Sequence, residues 1–141
     1  MSKIPTVYFS VDVEASGPLP PDYNLVSIGA VEVRPSPEGH ILGREFYVEL
    51  KPIFPGFRPE SMAVHGIPRE HLEQNGTDSS EAMRRFDEWT RSCLAPGEHP
   101  VFVGHNAAFD WAYLNYYFHY FGIENPYGYK ALDSKSLAMG V

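Results

Sequence analysis

Residues Thr6 to Glu14 alternate without interruption, with Val7, Phe9, Val11 and Val13 at one parity and Tyr8, Ser10, Asp12 and Glu14 at the other. A period of two marks a half-buried β-strand, because successive side chains leave opposite faces of the pleat. Such a strand needs a sheet that is dry on one face and polar on the other, and here the polar face ends in two carboxylates. Gly17-Pro18 breaks the run directly afterwards, so Asp12 and Glu14 project together from one face where strand gives way to loop. Two like charges so placed repel unless a cation lies between them. Divalent Mg²⁺ or Mn²⁺, which prefer oxygen donors, relieve that repulsion. Two solvated acids on an exposed sheet face satisfy the same spacing.

The rest of the chain supplies partners for this strand. Residues 25–34 are β-rich, Pro35 to Gly39 reads as a turn, and Arg44 to Leu50 reads as a third strand. Connections this short imply an antiparallel meander. Lys51 to Gly76 is irregular and holds four prolines, with short helical turns expected around Pro59–Val64 and Pro68–Glu73. Ser79 or Ser80 is placed to cap a helix running to about Leu94, with Glu81 in its first turn and Pro96-Gly97 as the stop. Pro100 to Gly104 is a short strand, Asn106 the expected N-cap of a helix to about Phe121, and Tyr129 to Leu132 a fifth strand. Asp133 onward reads as the start of another helix. Helices joining the later strands imply parallel pairing beside the antiparallel front end. The expected class is α/β, a mixed five-stranded sheet flanked by helices.

At 141 residues the chain has room for one domain with one core. Its 43% hydrophobic and 21% charged residues exclude a disordered chain. No apolar stretch approaches the ~20 residues that span a bilayer, and the N-terminus lacks the apolar run of a signal peptide, so a cytoplasmic protein is expected. Cys93 is the one cysteine, which excludes an internal disulfide and a zinc site built on thiolates. It shares a helical stripe with Ala82, Phe86 and Trp89 and is expected in the core. The net charge of −7 argues against a nucleic-acid partner on simple electrostatic grounds. A carboxylate site with bound divalent cations reverses that sign locally.

Asp110 falls in the first turn of the second helix, and Leu114, Tyr117 and Phe121 follow it at core-facing intervals. A carboxylate heading such a stripe is costly to bury unless it is paired or bound to metal; an acid favoured by the helix dipole is the plainer reading. The flanking residues carry more. Phe9-Ser10-Val11-Asp12-Val13-Glu14-Ala15-Ser16-Gly17 resembles the first motif of the DnaQ-like, or DEDD, 3′–5′ exonucleases, and Gly104-His105-Asn106-Ala107-Ala108-Phe109-Asp110 resembles their second. Met62 to Ile67 is similar to the His-Gly-Ile segment of proofreading subunits and RNase T-like enzymes, Asn24 to Val33 to the family's second strand, and Leu132 to Ala138 to its next strand-to-helix junction.

This resemblance implies a ribonuclease-H-like fold and hydrolysis of DNA or RNA from a single-stranded 3′ end, releasing nucleoside 5′-monophosphates. It implies that Asp12, Glu14 and Asp110 help hold two Mg²⁺ or Mn²⁺ ions about 4 Å apart around the scissile phosphate. Ala15 and Ser16 would lie by the terminal nucleotide with their backbone amides available to it, and His65 and Phe109 beside its sugar or base. Tyrosines and tryptophan of the second helix are expected in the core rather than as stacking platforms. Dimers and polymerase-associated forms occur in such families, and no residue here signals either. The family's last motif, a histidine with an aspartate five positions on, has no match: His105 and Asp110 have that spacing but belong to the second motif. A single exonuclease domain over 1–141, C-terminally truncated and weakly active or inactive, is therefore expected. Two other readings account for less. A non-catalytic binding or interaction module on the same fold has no need of three carboxylates, and another ribonuclease-H-like branch does not explain the second motif.

Overall fold

The computed structural model describes residues 5–128 and 131–133. Strands β1 (Thr6–Ala15), β2 (Leu25–Ser36) and β3 (Gly39–Glu49) form the expected antiparallel meander. Two short helices follow, α1 (Pro59–His65) and α2 (Arg69–Asn75), then α3 (Ser79–Ser92), β4 (His99–Gly104), α4 (Ala107–Tyr120) and β5 (Ala131–Asp133). The sheet order is β3-β2-β1-β4-β5, with β4 parallel to both β1 and β5. This is the mixed α/β sheet of ribonuclease-H-like proteins. Each crossover from β1 to β4 and from β4 to β5 carries a helix, as parallel pairing requires. The helix expected after Asp133 and the start of the fifth strand at residues 129–130 lie outside the described residues.

β1 is the central strand, and its alternation sorts the layers. Val7, Phe9, Val11 and Val13 are at most 3% exposed, whereas Ser10 and Asp12 are open to solvent. Both long helices pack on the apolar face: Met83 and Phe86 of α3 and Tyr113, Leu114, Tyr117 and Phe118 of α4 belong to one cluster with the β1 valines. Phe9 sits edge-on to Trp89 at 5.5 Å and to Tyr127 at 5.7 Å, a geometry aromatic rings favour beyond their buried area. Cys93 is buried as expected. Of the α4 tyrosines, Tyr113 and Tyr117 are core residues with occupied hydroxyls, whereas Tyr116 is half-buried and Tyr120 is exposed, against the expectation for that helix. Tyr113 donates to the Gly17 carbonyl at 2.7 Å, and Tyr117 accepts the Leu25 N–H at 2.8 Å. No helix among the described residues is long and apolar enough to cross a membrane.

Two local expectations change. Asp78, not Ser79 or Ser80, caps α3 by accepting the Glu81 N–H at 3.2 Å. Ser79 is buried with its hydroxyl committed to the Lys51 carbonyl, and Ser80 donates to Asp78, so neither serine oxygen serves the helix end. β3 begins at Gly39 rather than Arg44. Residues 39–45 are exposed on both faces, and a strand without a buried face has no alternation to read. The hairpin also carries an irregular register between Val31 and Val33, where the buried Glu32 carboxylate accepts from Arg44 N–H at 3.1 Å and Arg34 Nε at 2.8 Å.

Removing the centre of the packed layer is expected to be expensive. Phe9→Ala should destabilise the fold by about 3–5 kcal/mol, seen in urea unfolding as a lower midpoint with an unchanged slope. A loss below about 1 kcal/mol would mean that Phe9 is not the centre of this core.

Candidate active site

The three sequence-selected acids reach one end of the sheet by two routes. Asp12 and Glu14 lie on the polar face of β1, opposite Gly29 and Ser27 of β2. Asp110 arrives from the other side, on the first turn of α4 just after β4 ends at Gly104. Space is tight there: a Cβ at 104 would stand 3.0 Å from Asp110 Oδ2 and 3.1 Å from Ala107 Cα, so a larger residue would make these neighbours give by a few tenths of an ångström. The close approach seats Asp110 at 3% exposure. Its Oδ1 accepts the Val13 N–H at 3.1 Å, so the third acid is bonded to the backbone of the residue between the other two.

That position has an electrostatic consequence. Burial pushes the Asp110 carboxyl up to about 6, the Asp12 and Glu14 charges push in the same direction, and the Val13 N–H opposes them. Glu14 is raised as well, first by burial and then by Asp12. The donor set consists of hard oxygens carrying mutually repelling charge, which fits a divalent cation. Among the described residues no three His, Cys, Asp or Glu side chains are drawn together at metal-ligand spacing. The acids are gathered at one end of the sheet without being closed on a common point.

Beside Glu14 opens a pocket lined also by Ala15, Arg58, Ser61, Val64 and Phe109. Phe109 is half-buried and edge-on to Tyr113 at 5.3 Å. Ser16 is placed otherwise than expected. Its amide donates to the Asn24 carbonyl at 2.9 Å, and its hydroxyl donates to Gly56 O at 2.7 Å while accepting the Asn24 N–H at 2.8 Å. It stitches loops together and has no free amide for a ligand. His65 ends α1 with Nδ1 accepting the Ile67 N–H at 3.0 Å, which places its proton on Nε2. That atom is buried, faces Ala15 and makes no full hydrogen bond. Burial lowers the His65 pKa, so the ring is neutral near pH 7.

Sequence reasoning passed over Arg58 and Tyr23. The Arg58 guanidinium lies 5.3 Å over the Tyr23 ring, and its Nε donates to the Tyr23 hydroxyl at 3.0 Å. A signal was present: Arg58 precedes Pro59 at a helix start, where Ser, Thr, Asp or Asn is the usual residue.

Sheet order and helix placement are those of the DnaQ-like, or DEDD, exonuclease class. Residues 7–137 match the family described as the 3′–5′ exoribonuclease Rv2179c-like domain, and the chain belongs to that family. It is 46% identical over 136 residues to the 3′–5′ DNA exonuclease Cap18 of Escherichia coli, a match covering 96% of this chain and 69% of that protein. Among solved structures, E. coli exonuclease I with a 5cy-dA13 oligonucleotide superposes with a TM-score of 0.76 at 15% identity, covering 96% of this chain and 29% of the other. The same enzyme with a dA16 oligonucleotide gives 0.69 at 18% identity, covering 86% and 25%. The chain thus spans less than a third of those solved structures and shares their fold.

The raised Asp110 pKa dictates the sign of a stability test. A carboxyl that holds its proton more tightly when folded contributes stability at low pH, and that contribution disappears as pH rises from about 4 to about 6. Asp110→Asn keeps an acceptor for Val13 without the charge. It should melt higher than the unsubstituted protein at pH 7.5 without metal, the gap closing by about pH 4. Equal melting temperatures across that range would show that Asp110 carries no unfavourable charge.

Proposed function

We propose that this domain is a metal-dependent 3′–5′ exonuclease that removes nucleoside 5′-monophosphates from the 3′ end of a single-stranded nucleic acid. The observation that carries the reading is the Asp110–Val13 hydrogen bond, which draws a buried acid from a distant helix onto the Asp12–Glu14 stretch. A fold seeking only stability has no reason to bury a carboxylate against two others. Asp12, Glu14 and Asp110 would hold two Mg²⁺ or Mn²⁺ ions. When bound, such ions supply Lewis acidity, which favours an ionised water near neutral pH and offsets charge on the departing 3′ oxygen.

The chain's own groups do the rest. The Val13 N–H keeps one Asp110 oxygen engaged and so fixes the carboxylate plane. Ala15 and Phe109 offer an apolar surface beside Glu14 suited to the terminal sugar or base, while the neutral His65 sits behind Ala15 and holds the α1 segment against the end of β1. Ser16 acts by keeping residues 24 and 56 in register with that end. The strong likeness to a DNA exonuclease favours DNA over RNA, although the family carries an exoribonuclease description. One observation favours a second reading, a non-catalytic nucleic-acid-binding module: the three acids stand apart rather than in a closed ligand set.

Calorimetric titration of Mn²⁺ into the protein and its Asp12→Ala variant, followed by 3′-labelled DNA and RNA strands, separates the two. Metal binding and label release should both be lost in the variant, with DNA consumed faster than RNA by the unsubstituted protein. Two folded proteins that bind strands but no metal would favour the binding module.

A further inference from the structure

Tyr23 occupies space that two glycines leave open. A Cβ at Gly17 would lie 2.1 Å from Tyr23 Cγ, and one at Gly56 2.8 Å from its Cδ1. Backbone bonds close the same region, Gly56 N–H to Asp22 O at 3.0 Å and Arg58 N–H to Ser16 O at 2.8 Å. Arg58 is therefore held at its backbone, through Nε on the Tyr23 hydroxyl, and by its guanidinium over the ring. Its Nη1 and Nη2 have no protein partner among the described residues.

This placement does nothing for the adjoining helix. Arg58 is the N-cap of α1 and forms no side-chain cap bond, and a cation is the wrong charge for that end. What the placement achieves is a fixed, outward guanidinium in the pocket that also holds Glu14, Ala15 and Phe109, where it is the one basic side chain among the described lining residues. A polyanion approaching three carboxylates on a chain of net charge −7 needs a cation of the protein's own at that point.

We propose that Arg58 is a phosphate-binding residue of this site, its Nη1 and Nη2 taking two oxygens of a phosphodiester near the 3′ end of the strand, with Tyr23 as the positioning residue beneath it. The inference rests on the exonuclease reading above. The ligand is a phosphate rather than a base edge for two reasons. The planar fork matches two phosphate oxygens, and a backbone contact serves every sequence equally, as stepwise removal of nucleotides demands.

The test uses Arg58→Ala, Arg58→Lys and Tyr23→Phe, with DNA strands ending in each of the four bases. Strand binding by anisotropy and KM and kcat with Mn²⁺ are measured over a range of salt concentrations, beside thermal melts of each variant. Arg58→Ala should raise KM about tenfold for all four ends, change kcat little, and lower the slope of log affinity against log salt by about 0.7. Arg58→Lys, which keeps the charge without the fork, should keep the slope and recover part of the affinity. Tyr23→Phe should raise KM with the slope unchanged. A KM rise confined to one terminal base would overturn the phosphate assignment in favour of base reading. Unchanged KM and slope in a folded Arg58→Ala protein would remove Arg58 from the site while leaving the exonuclease reading intact. Strands bound with an Arg58-dependent slope, but with no Mn²⁺ bound and no shortening, would sink the exonuclease reading instead.

Discussion

Every part of the structure is referred to the two faces of β1. Its apolar parity recruits α3 and α4, and burial of Val7, Phe9, Val11 and Val13 beneath them fixes the register of the central strand. A slip of one residue would exchange the faces, putting valines in solvent and carboxylates in the core. The same packing that stabilises the fold therefore fixes where Asp12 and Glu14 point. The parallel neighbour β4 then delivers α4, and with it Asp110, to the end of the sheet where those acids emerge.

The arrangement sets stability against chemistry at one atom pair. Asp110 is a buried acid with one backbone donor and two like charges nearby, and its carboxyl is raised for those reasons. The surrounding fold makes up the deficit elsewhere, in an aromatic layer where Phe86 meets Trp89 and Phe118 in stacked pairs and Phe46 and Tyr127 at tilted angles. Polar groups in that layer are paired, as with Thr90 Oγ1 and Tyr127 Oη at 2.8 Å. The layer packs on the middle of the sheet, at Phe9, Phe46 and Phe102, while one end of the same sheet is electrostatically unsettled.

Much of this was legible in the residues. The period of two in β1 and the spacing from Asp110 to Leu114 and Tyr117 in α4 are set by local geometry, so they could be read without neighbours. The change from antiparallel to parallel pairing followed from which connections were long enough to hold a helix, whereas the spatial order of the strands was seen only in the fold. Other features depend on contacts between distant segments. The commitment of Ser16 to Asn24 and Gly56, and of Ser79 to Lys51, turns on loops separated by 8 to 40 positions. Tyr23 and Arg58 are 35 positions apart, and two glycines in two different loops make room for their pairing. Nothing periodic marks such an assembly; it becomes visible when the loops are folded together.

The phenols of α4 give the site an unequal stiffness. Tyr113 grips the Gly17 carbonyl and Tyr117 the Leu25 amide, on either side of the β1–β2 connection, while Asp110 on the same helix holds Val13. Helix and strand pair are thus pinned at three points and behave as the fixed jaw of a vise. The opposing side is α1, which buries none of its residues and so has the least packing to undo. Local opening of α1 costs less than breaking that three-point seam, so a change of cleft width made there would leave the spacing of the acids intact.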